Sequence, residues 1–217
     1  MTARILIVED HDLLAQSLRL ALEADGFEVE RATELTKEGI VGAAERMRPS
    51  IVLLDLDLGA QIGSSLPLIA PLREFGACVV MVTGAENRVR LGECVEAGAL
   101  GIVPKSAAFE DLLGAIKDAC DMRELLTKAE RDELLAEMRR QHAEEEQRSQ
   151  RFKRLTAREQ QVLAALCDGQ SAETIAAEGF VSLATVRTQI RTLLQKLGVN
   201  SQIAAVALAR RAGWRDC

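Results

Sequence analysis

This chain of 217 residues predicts an acidic, doubly wound parallel α/β domain followed by a small, basic, all-helical one. Three observations support that reading. Across residues 1–120, short apolar runs alternate with stretches of helical spacing. Across residues 152–217 only helix caps and helical spacing occur. The charge divides in the same way: residues 1–120 carry a net -8, residues 121–151 a net -2, and residues 152–217 a net +4, out of -6 overall. A hydrophobic content of 48% is enough to fill two small cores.

The runs at residues 5–8, 51–54 and 78–82 are continuously apolar, as central strands covered on both faces are. Residues 27–30 alternate apolar and polar, and residues 102–103 supply a fifth run. Between them, Leu13, Leu14, Leu18, Ala21 and Leu22 follow helical spacing, then Ile40, Val41, Ala44 and Met47, then Val89, Cys94 and Val95. Gly26 and Gly98 stand where helix ends favour a left-handed residue. Strands alternating with helices imply a parallel sheet.

Residues 121–151 lack Gly and Pro and are rich in Glu, Arg, Gln, Leu and Ala, which is a helical composition. Met122, Leu125, Leu126, Ala129, Leu134, Leu135 and Met138 give this stretch a broken apolar face. Such a face suits either a coiled-coil seam between two copies or a spacer lying on a neighbouring domain.

Beyond it, Thr156-Ala157-Arg158-Glu159 forms a capping-box pattern opening a helix that ends near Gly169. Ser171 caps a short helix with Ile175 and Ala176, Ser182 a longer one ending at Gly198, and Ser201 a fourth. On the longer helix Val186, Ile190, Leu193, Leu194 and Leu197 share a face expected to be buried. Ala184, Arg187, Thr188, Arg191 and Gln195 share the opposite one. Two short helices before a longer one with a basic outer face suit a helix-turn-helix, whose arginines can read guanine edges in the major groove.

Polar residues follow the strand ends: Glu9 and Asp10 the first, Asp55 and Asp57 the third, Thr83 the fourth, Lys105 the fifth. In an open parallel sheet these positions converge on one rim. Clustered carboxylates repel unless a cation intervenes, and a hard oxygen-liganded ion such as Mg²⁺ meets that need. A carboxylate can also attack phosphorus to give an aspartyl phosphate, with Lys105 and the Thr83 hydroxyl placed to hold the phosphoryl oxygens.

Two resemblances sharpen this. Ile5-Leu6-Ile7-Val8-Glu9-Asp10-His11, Val52-Leu53-Leu54-Asp55, Val82-Thr83-Gly84 and Val103-Pro104-Lys105-Ser106 resemble the receiver domain of two-component response regulators, from residue 4 to about 120. That resemblance implies a five-stranded, flavodoxin-like fold with Asp55 as phosphoacceptor. It also implies Mg²⁺ held by Asp10, Asp55, Glu9 and the backbone carbonyl of Asp57, and a phosphate switch through Thr83 and Lys105. Gly59 stands where the family usually has Pro, and Ile102 where it tends to have Tyr or Phe. Leu155–Leu163, Gly169-Gln170-Ser171, Ile175-Ala176, Val181-Ser182, Thr185-Val186-Arg187 and Lys196-Leu197-Gly198-Val199 resemble the LuxR-type helix-turn-helix. By that resemblance Arg187, Thr188 and Arg191 meet bases or phosphates and Lys196 lies near the DNA backbone. Gln189 replaces a frequent His, and Gly179 a buried Leu.

The combined expectation is a receiver at 1–120, a helical linker at 121–151 and a DNA-binding domain at 152–217. It is a cytoplasmic transcription regulator, not an enzyme, phosphorylated on Asp55 by a histidine kinase or a small phosphodonor. It binds double-stranded DNA, as a homodimer when active. Regulation without phosphate, through dimerisation by the linker helix, stays open. With 3% aromatics and no Tyr, a sugar-binding or RNA-stacking surface is disfavoured. No run of 18 apolar residues suggests a membrane span, and the short N-terminal run is closed by acids, unlike a signal peptide. Cys78, Cys94, Cys120, Cys167 and Cys217 are scattered, which argues against a disulfide framework or a zinc site.

Overall fold

The computed structural model describes residues 3–214. The chain forms two compact units that meet in sequence between Arg140 and Gln141.

The first unit is built on five parallel strands: β1 Arg4–Val8, β2 Glu28–Arg31, β3 Ile51–Leu54, β4 Cys78–Thr83 and β5 Gly101–Pro104. Their order is β2-β1-β3-β4-β5. Helices α1 (Asp12–Ala24) and α6 (Phe109–Cys120) cover one face, packing Leu18, Leu22, Leu112 and Ile116 against Ile5, Ile7 and Leu53. Helices α2 (Lys37–Met47), α4 (Ile69–Glu74) and α5 (Arg88–Glu96) cover the other, packing Ile40, Leu72 and Cys94 against Leu6, Val8 and Leu54. Both side-chain rows of β1 and β3 are therefore buried, which explains their unbroken apolar sequence. β2 lies at one edge of the sheet and alternates. The stretch after β3 carries no periodic signal, because its elements are too short. It holds α3 (Gly59–Ile62), a 3-10 turn (Leu66–Leu68) and α4, with Pro67 and Pro71 in the opening turns of the last two.

The linker differs from expectation at its start. Residues 121–127 are not helical. Met122 closes α6 at φ 57, and Leu125 seats on Gly101, where an added Cβ would lie 2.3 Å from the Leu125 Cβ. Thr127 and Glu130 then exchange hydrogen bonds as a capping box and open α7 (Lys128–Lys153). The first half of α7 lies along α5, with Leu134 and Met138 buried there.

The second unit continues with α8 (Ala157–Cys167), α9 (Ala172–Glu178), α10 (Leu183–Leu197) and α11 (Gln202–Arg211). Thr156, Ser171, Ser182 and Ser201 each accept a backbone N–H three residues on. Val162, Leu163, Ile175, Val186, Ile190, Leu193 and Leu197 form the core, while Leu194 is only partly buried. Gly179 ends α9, and a Cβ there would fall 2.3 Å from Arg158 Nη2. The Arg158 guanidinium therefore occupies the room that the usual Leu would fill.

Phe180, in the turn between α9 and α10, is 97% exposed and adopts φ 50. A side chain there costs about 1 kcal/mol and buries nothing in return. Phe180→Gly is expected to raise the denaturation midpoint of this unit by an amount equivalent to about 1 kcal/mol. An unchanged midpoint in chemical denaturation would contradict this.

Cys78, Cys94 and Cys120 are free thiols. Cys217 lies outside the described residues. Among the described residues no helix is long and apolar enough to cross a membrane.

Candidate functional site

The carboxyl ends of β1, β3, β4 and β5 converge. Lys105 Nζ donates to Asp55 Oδ2 at 2.7 Å and lies 2.6 Å from Glu9 Oε2, so one ammonium bridges two buried carboxylates. Ligand oxygens of Glu9, Asp10 and Asp55, with a ring nitrogen of His11, lie within 4.8 Å of one another. Thr83 is buried beside them, and its Oγ1 accepts the Ala85 amide at 3.0 Å. Asp57 does not turn its side chain into this group: Arg90 of α5 grips its carboxylate with two hydrogen bonds of 2.6 and 3.0 Å. Its amide donates to Asp55 Oδ1 at 3.4 Å.

Burial pushes the Asp55 carboxyl above its ordinary pKa, the Lys105 hydrogen bond opposes this, and the Glu9 charge adds to it. Burial also opposes ionisation of Glu9, but hydrogen bonds from Lys105 and His11 outweigh it and hold its carboxyl down. The residues fit a hard divalent ion. The donors are carboxylate oxygens, and Asp10 Oδ1 is buried without a hydrogen-bond partner. The ring nitrogen 2.9 Å from that oxygen is already engaged by Glu9 at 2.7 Å. Gly59, at φ 65, approaches the same carboxylate so closely that a Cβ would meet its other oxygen, Asp10 Oδ2, at 3.1 Å. Proline, confined to negative φ, cannot occupy that position.

In the second unit α10 presents Ala184, Arg187, Thr188, Arg191 and Gln195 on one exposed face. The Thr188 hydroxyl donates to the Ala184 carbonyl at 3.0 Å, so its polar end is turned to the helix backbone. Arg187 reaches Glu173 of α9 only loosely, at 3.6 Å.

The sequence model of the response regulator receiver domain matches residues 5–117, and that of the bacterial regulatory proteins of the luxR family matches residues 153–209. A nitrate/nitrite response regulator homolog of Haemophilus influenzae is 31% identical over 208 residues, covering 94% of this chain and 95% of its own. The chain belongs to the two-component response regulators with a LuxR-type DNA-binding domain.

The nitrate/nitrite response regulator NarP of Escherichia coli is also 31% identical, over 94% of this chain and 93% of its own. The transcriptional regulatory protein DesR of Bacillus subtilis is 26% identical over 97% and 98%. Among solved structures, an RcsB–DNA complex covers 96% of this chain and 98% of its own, with a TM-score of 0.53 at 21% identity, and so bears on the fold alone. A CheY-like receiver from Methanospirillum hungatei covers 56% of this chain and 96% of its own, with a TM-score of 0.52 at 28% identity. This response regulator is thus a transcription regulator of a family that is not enzymatic. The Arg90 hydrogen bonds hold the Asp57 carboxyl below its ordinary pKa.

Several contributors to the regulator's sites escape sequence reasoning. His11 orients Glu9, and buried Ser65 donates to the Asp55 carbonyl at 2.5 Å. Arg90 lies 33 residues from Asp57 in sequence, and no local pattern pairs them. Lys196, expected near DNA, donates to the buried Glu159 at 2.7 Å, bracing α10 against the start of α8. Glu159 was visible only as the last member of the capping box.

Burial opposes ionisation of Glu159, yet the Lys196 ammonium and the Thr156 amide win and hold its pKa below the ordinary value. A depressed acid stabilises the fold above its unfolded pKa, and that stability is lost as pH falls through the folded value. Glu159→Gln is therefore expected to cost about 1–2 kcal/mol at neutral pH and nothing extra in acid. Denaturation curves of both proteins across that acid range check this, and equal gaps at all pH values would refute it.

Proposed function

We propose that this regulator is switched by phosphorylation of Asp55 and transmits the change to DNA through α10. The observation that carries this is the Lys105 ammonium bridging Asp55 and Glu9 beside an unpartnered Asp10 oxygen. Such a pocket has one cation in place, a nucleophilic carboxylate, and lone pairs left for another. A bound Mg²⁺, held by Asp10, Asp55, Glu9 and the Asp57 carbonyl, would supply charge neutralisation to the phosphoryl oxygens. An Asp55 oxygen attacks phosphorus of a histidine kinase's phosphoimidazole, or of an acyl phosphate. The imidazole or carboxylate leaves with the bonding pair, and an acyl phosphate on Asp55 remains. Lys105 then shifts to the phosphoryl group, and Thr83 gives up the Ala85 amide to donate its hydroxyl there.

Arg187, Thr188 and Arg191 enter the major groove of double-stranded DNA, two copies binding paired half-sites. Lys196, braced by Glu159, lies near the DNA backbone. A regulator that meets chromosomal DNA in this way works in the cytoplasm. Dimerisation by α7 as the sole switch is less well supported, because its Leu134 and Met138 are already covered by α5.

Intact-mass measurement after acetyl phosphate and Mg²⁺ tests the switch: wild type gains one phosphate, while Asp55→Ala, or wild type in chelator, gains none. Equal uptake by Asp55→Ala would refute it. On DNA, Arg187→Ala and Arg191→Ala are each expected to lose about 1–3 kcal/mol of affinity with a shallower salt dependence. Unchanged binding in a salt titration would exclude α10 as the reading element.

A further inference from the structure

At the end of the sheet opposite the acidic pocket, three sulfurs far apart in sequence come together. Cys78 opens β4, the strand that Thr83 closes, and packs on the face of the sheet that α1 and α6 cover. Cys120 is the last residue of α6 and is exposed. Met122 lies in the turn that ends this helix. Its amide donates to the Ala119 carbonyl at 3.1 Å, and the Arg123 amide donates to the Asp118 carbonyl at 2.8 Å. That pair of bonds closes a helix around a left-handed residue, a place usually held by glycine, and here Met122 holds it at φ 57. Core packing does not account for the methionine, since it is 77% exposed. What its thioether meets is the Cys78 thiol, which donates to it at 3.8 Å, sulfur to sulfur. Burial pushes the Cys120 thiol above its ordinary pKa, and the charges of Asp121 and Cys78 add to this, so the two cysteines lie within each other's field. Burial raises the Cys78 thiol as well, against the pull of the Arg73 guanidinium of α4.

We propose that Cys78, Cys120 and Met122 form a binding site for a soft monovalent cation of the Cu(I) kind, which ties the start of β4 to the end of α6 and the head of the linker. Thiolates and thioethers are the donors that such an ion prefers, while harder ions go to oxygen and nitrogen. The spacing suits it: with metal–sulfur bonds of about 2.3 Å, sulfurs 3.8 Å apart subtend an angle of about 110° at a shared ion. Cys120 supplies the third sulfur from the exposed last turn of α6, where packing does not set its rotamer. On binding, each thiol releases its proton to solvent and gives a lone pair of the thiolate to the ion, so nothing is oxidised or reduced. Two thiolates around a monovalent ion leave a single negative charge, and Arg73 is close enough to Cys78 to offset it. Zinc fits less well, because its structural sites take four donors from thiolate, imidazole and carboxylate, and a thioether is not among them. The ion acts at the root of the linker. Residues 121–127 join α6 to α7 with Leu125 seated on Gly101, and a staple at Met122 fixes where that passage begins. This input is separate from Asp55, which lies at the other end of the sheet.

Anaerobic titration of the full chain with Cu(I), against a chromogenic Cu(I) chelator, tests this. Wild type is expected to draw a first equivalent of Cu(I) from the chelator, with X-ray absorption showing sulfur neighbours at about 2.3 Å. Cys120→Ser removes an exposed sulfur without touching the core, and Met122→Leu keeps the bulk of the side chain but not its thioether, so both should fold as wild type does. Cys120→Ser should weaken that first binding step by more than about a hundredfold and Met122→Leu by about tenfold, measured against the roughly 10–100-fold that disturbing a ligand's support costs. Cys94→Ala, which removes a thiol buried elsewhere in the core, and Asp55→Ala should both bind Cu(I) as wild type does. Four results each overturn the site. These are no Cu(I) uptake by wild type, affinity unchanged in Cys120→Ser or in Met122→Leu, oxygen or nitrogen neighbours in place of sulfur, and displacement of Cu(I) by an equal concentration of Zn²⁺.

Discussion

Lys105→Ala is expected to destabilise the receiver unit by about 3 kcal/mol at neutral pH and to make it depend on Mg²⁺. The cause is the ammonium's double contact, 2.7 Å from Asp55 and 2.6 Å from Glu9, both carboxylates being nearly inaccessible to water. Removing one partner of a buried ion pair leaves its counterpart uncompensated, and that loss outweighs the net strength of the pair itself. Here two carboxylates are left facing each other and Asp10. A divalent ion then has no ammonium to compete with, so it binds the variant more tightly and restores more stability to it than to wild type. Denaturation of both proteins in chelator and in excess Mg²⁺ measures this. A variant as stable as wild type in chelator, or one that gains no more from Mg²⁺, would show that Lys105 is not the resting counter-ion. The same variant should lose the response to phosphate, since nothing replaces the cation that moves to the phosphoryl group.

The second large effect belongs to the other unit. Leu193 of α10 is fully buried in the core that sets this helix on α8 and α9. Leu193→Ala is expected to cost about 3–4 kcal/mol, a lost transfer term plus a cavity. A unit this small has a total stability of order 4–10 kcal/mol, so the variant stands close to unfolding. DNA affinity should collapse and exchange protection over α8–α11 should fall, while phosphate uptake at Asp55 stays at the wild-type level. DNA binding retained at wild-type affinity would mean that the α10 core is not what presents Arg187 and Arg191. Phosphate uptake lost along with it would mean that the two units are not energetically separable.

The pocket was legible to the extent that chain topology alone assembles it. Every parallel strand ends at the same rim, so Glu9, Asp10, Asp55, Thr83 and Lys105 had to converge once the five apolar runs were recognised as strands. The helix caps Thr156, Ser171, Ser182 and Ser201 were legible because a cap is a local hydrogen bond, written within four residues. Arg90, Ser65 and the bracing role of Lys196 were not legible. Each depends on which of several reachable partners lies nearest after packing, and charge and spacing leave that choice open. The linker shows both cases. Its helical composition was apparent, but its start at Lys128 depends on Leu125 seating on Gly101 and on the Thr127–Glu130 box.

By itself, then, the amino-acid sequence determined that this regulator has a parallel α/β receiver and a helical DNA-reading unit, because periodicity and capping are short-range properties. Tertiary structure alone decided that the resting pocket is neutralised by Lys105, that Asp57 is turned to Arg90, and that the apolar face of the linker rests on α5. Those are choices among competing charges and surfaces, and only distances in the folded molecule resolve them.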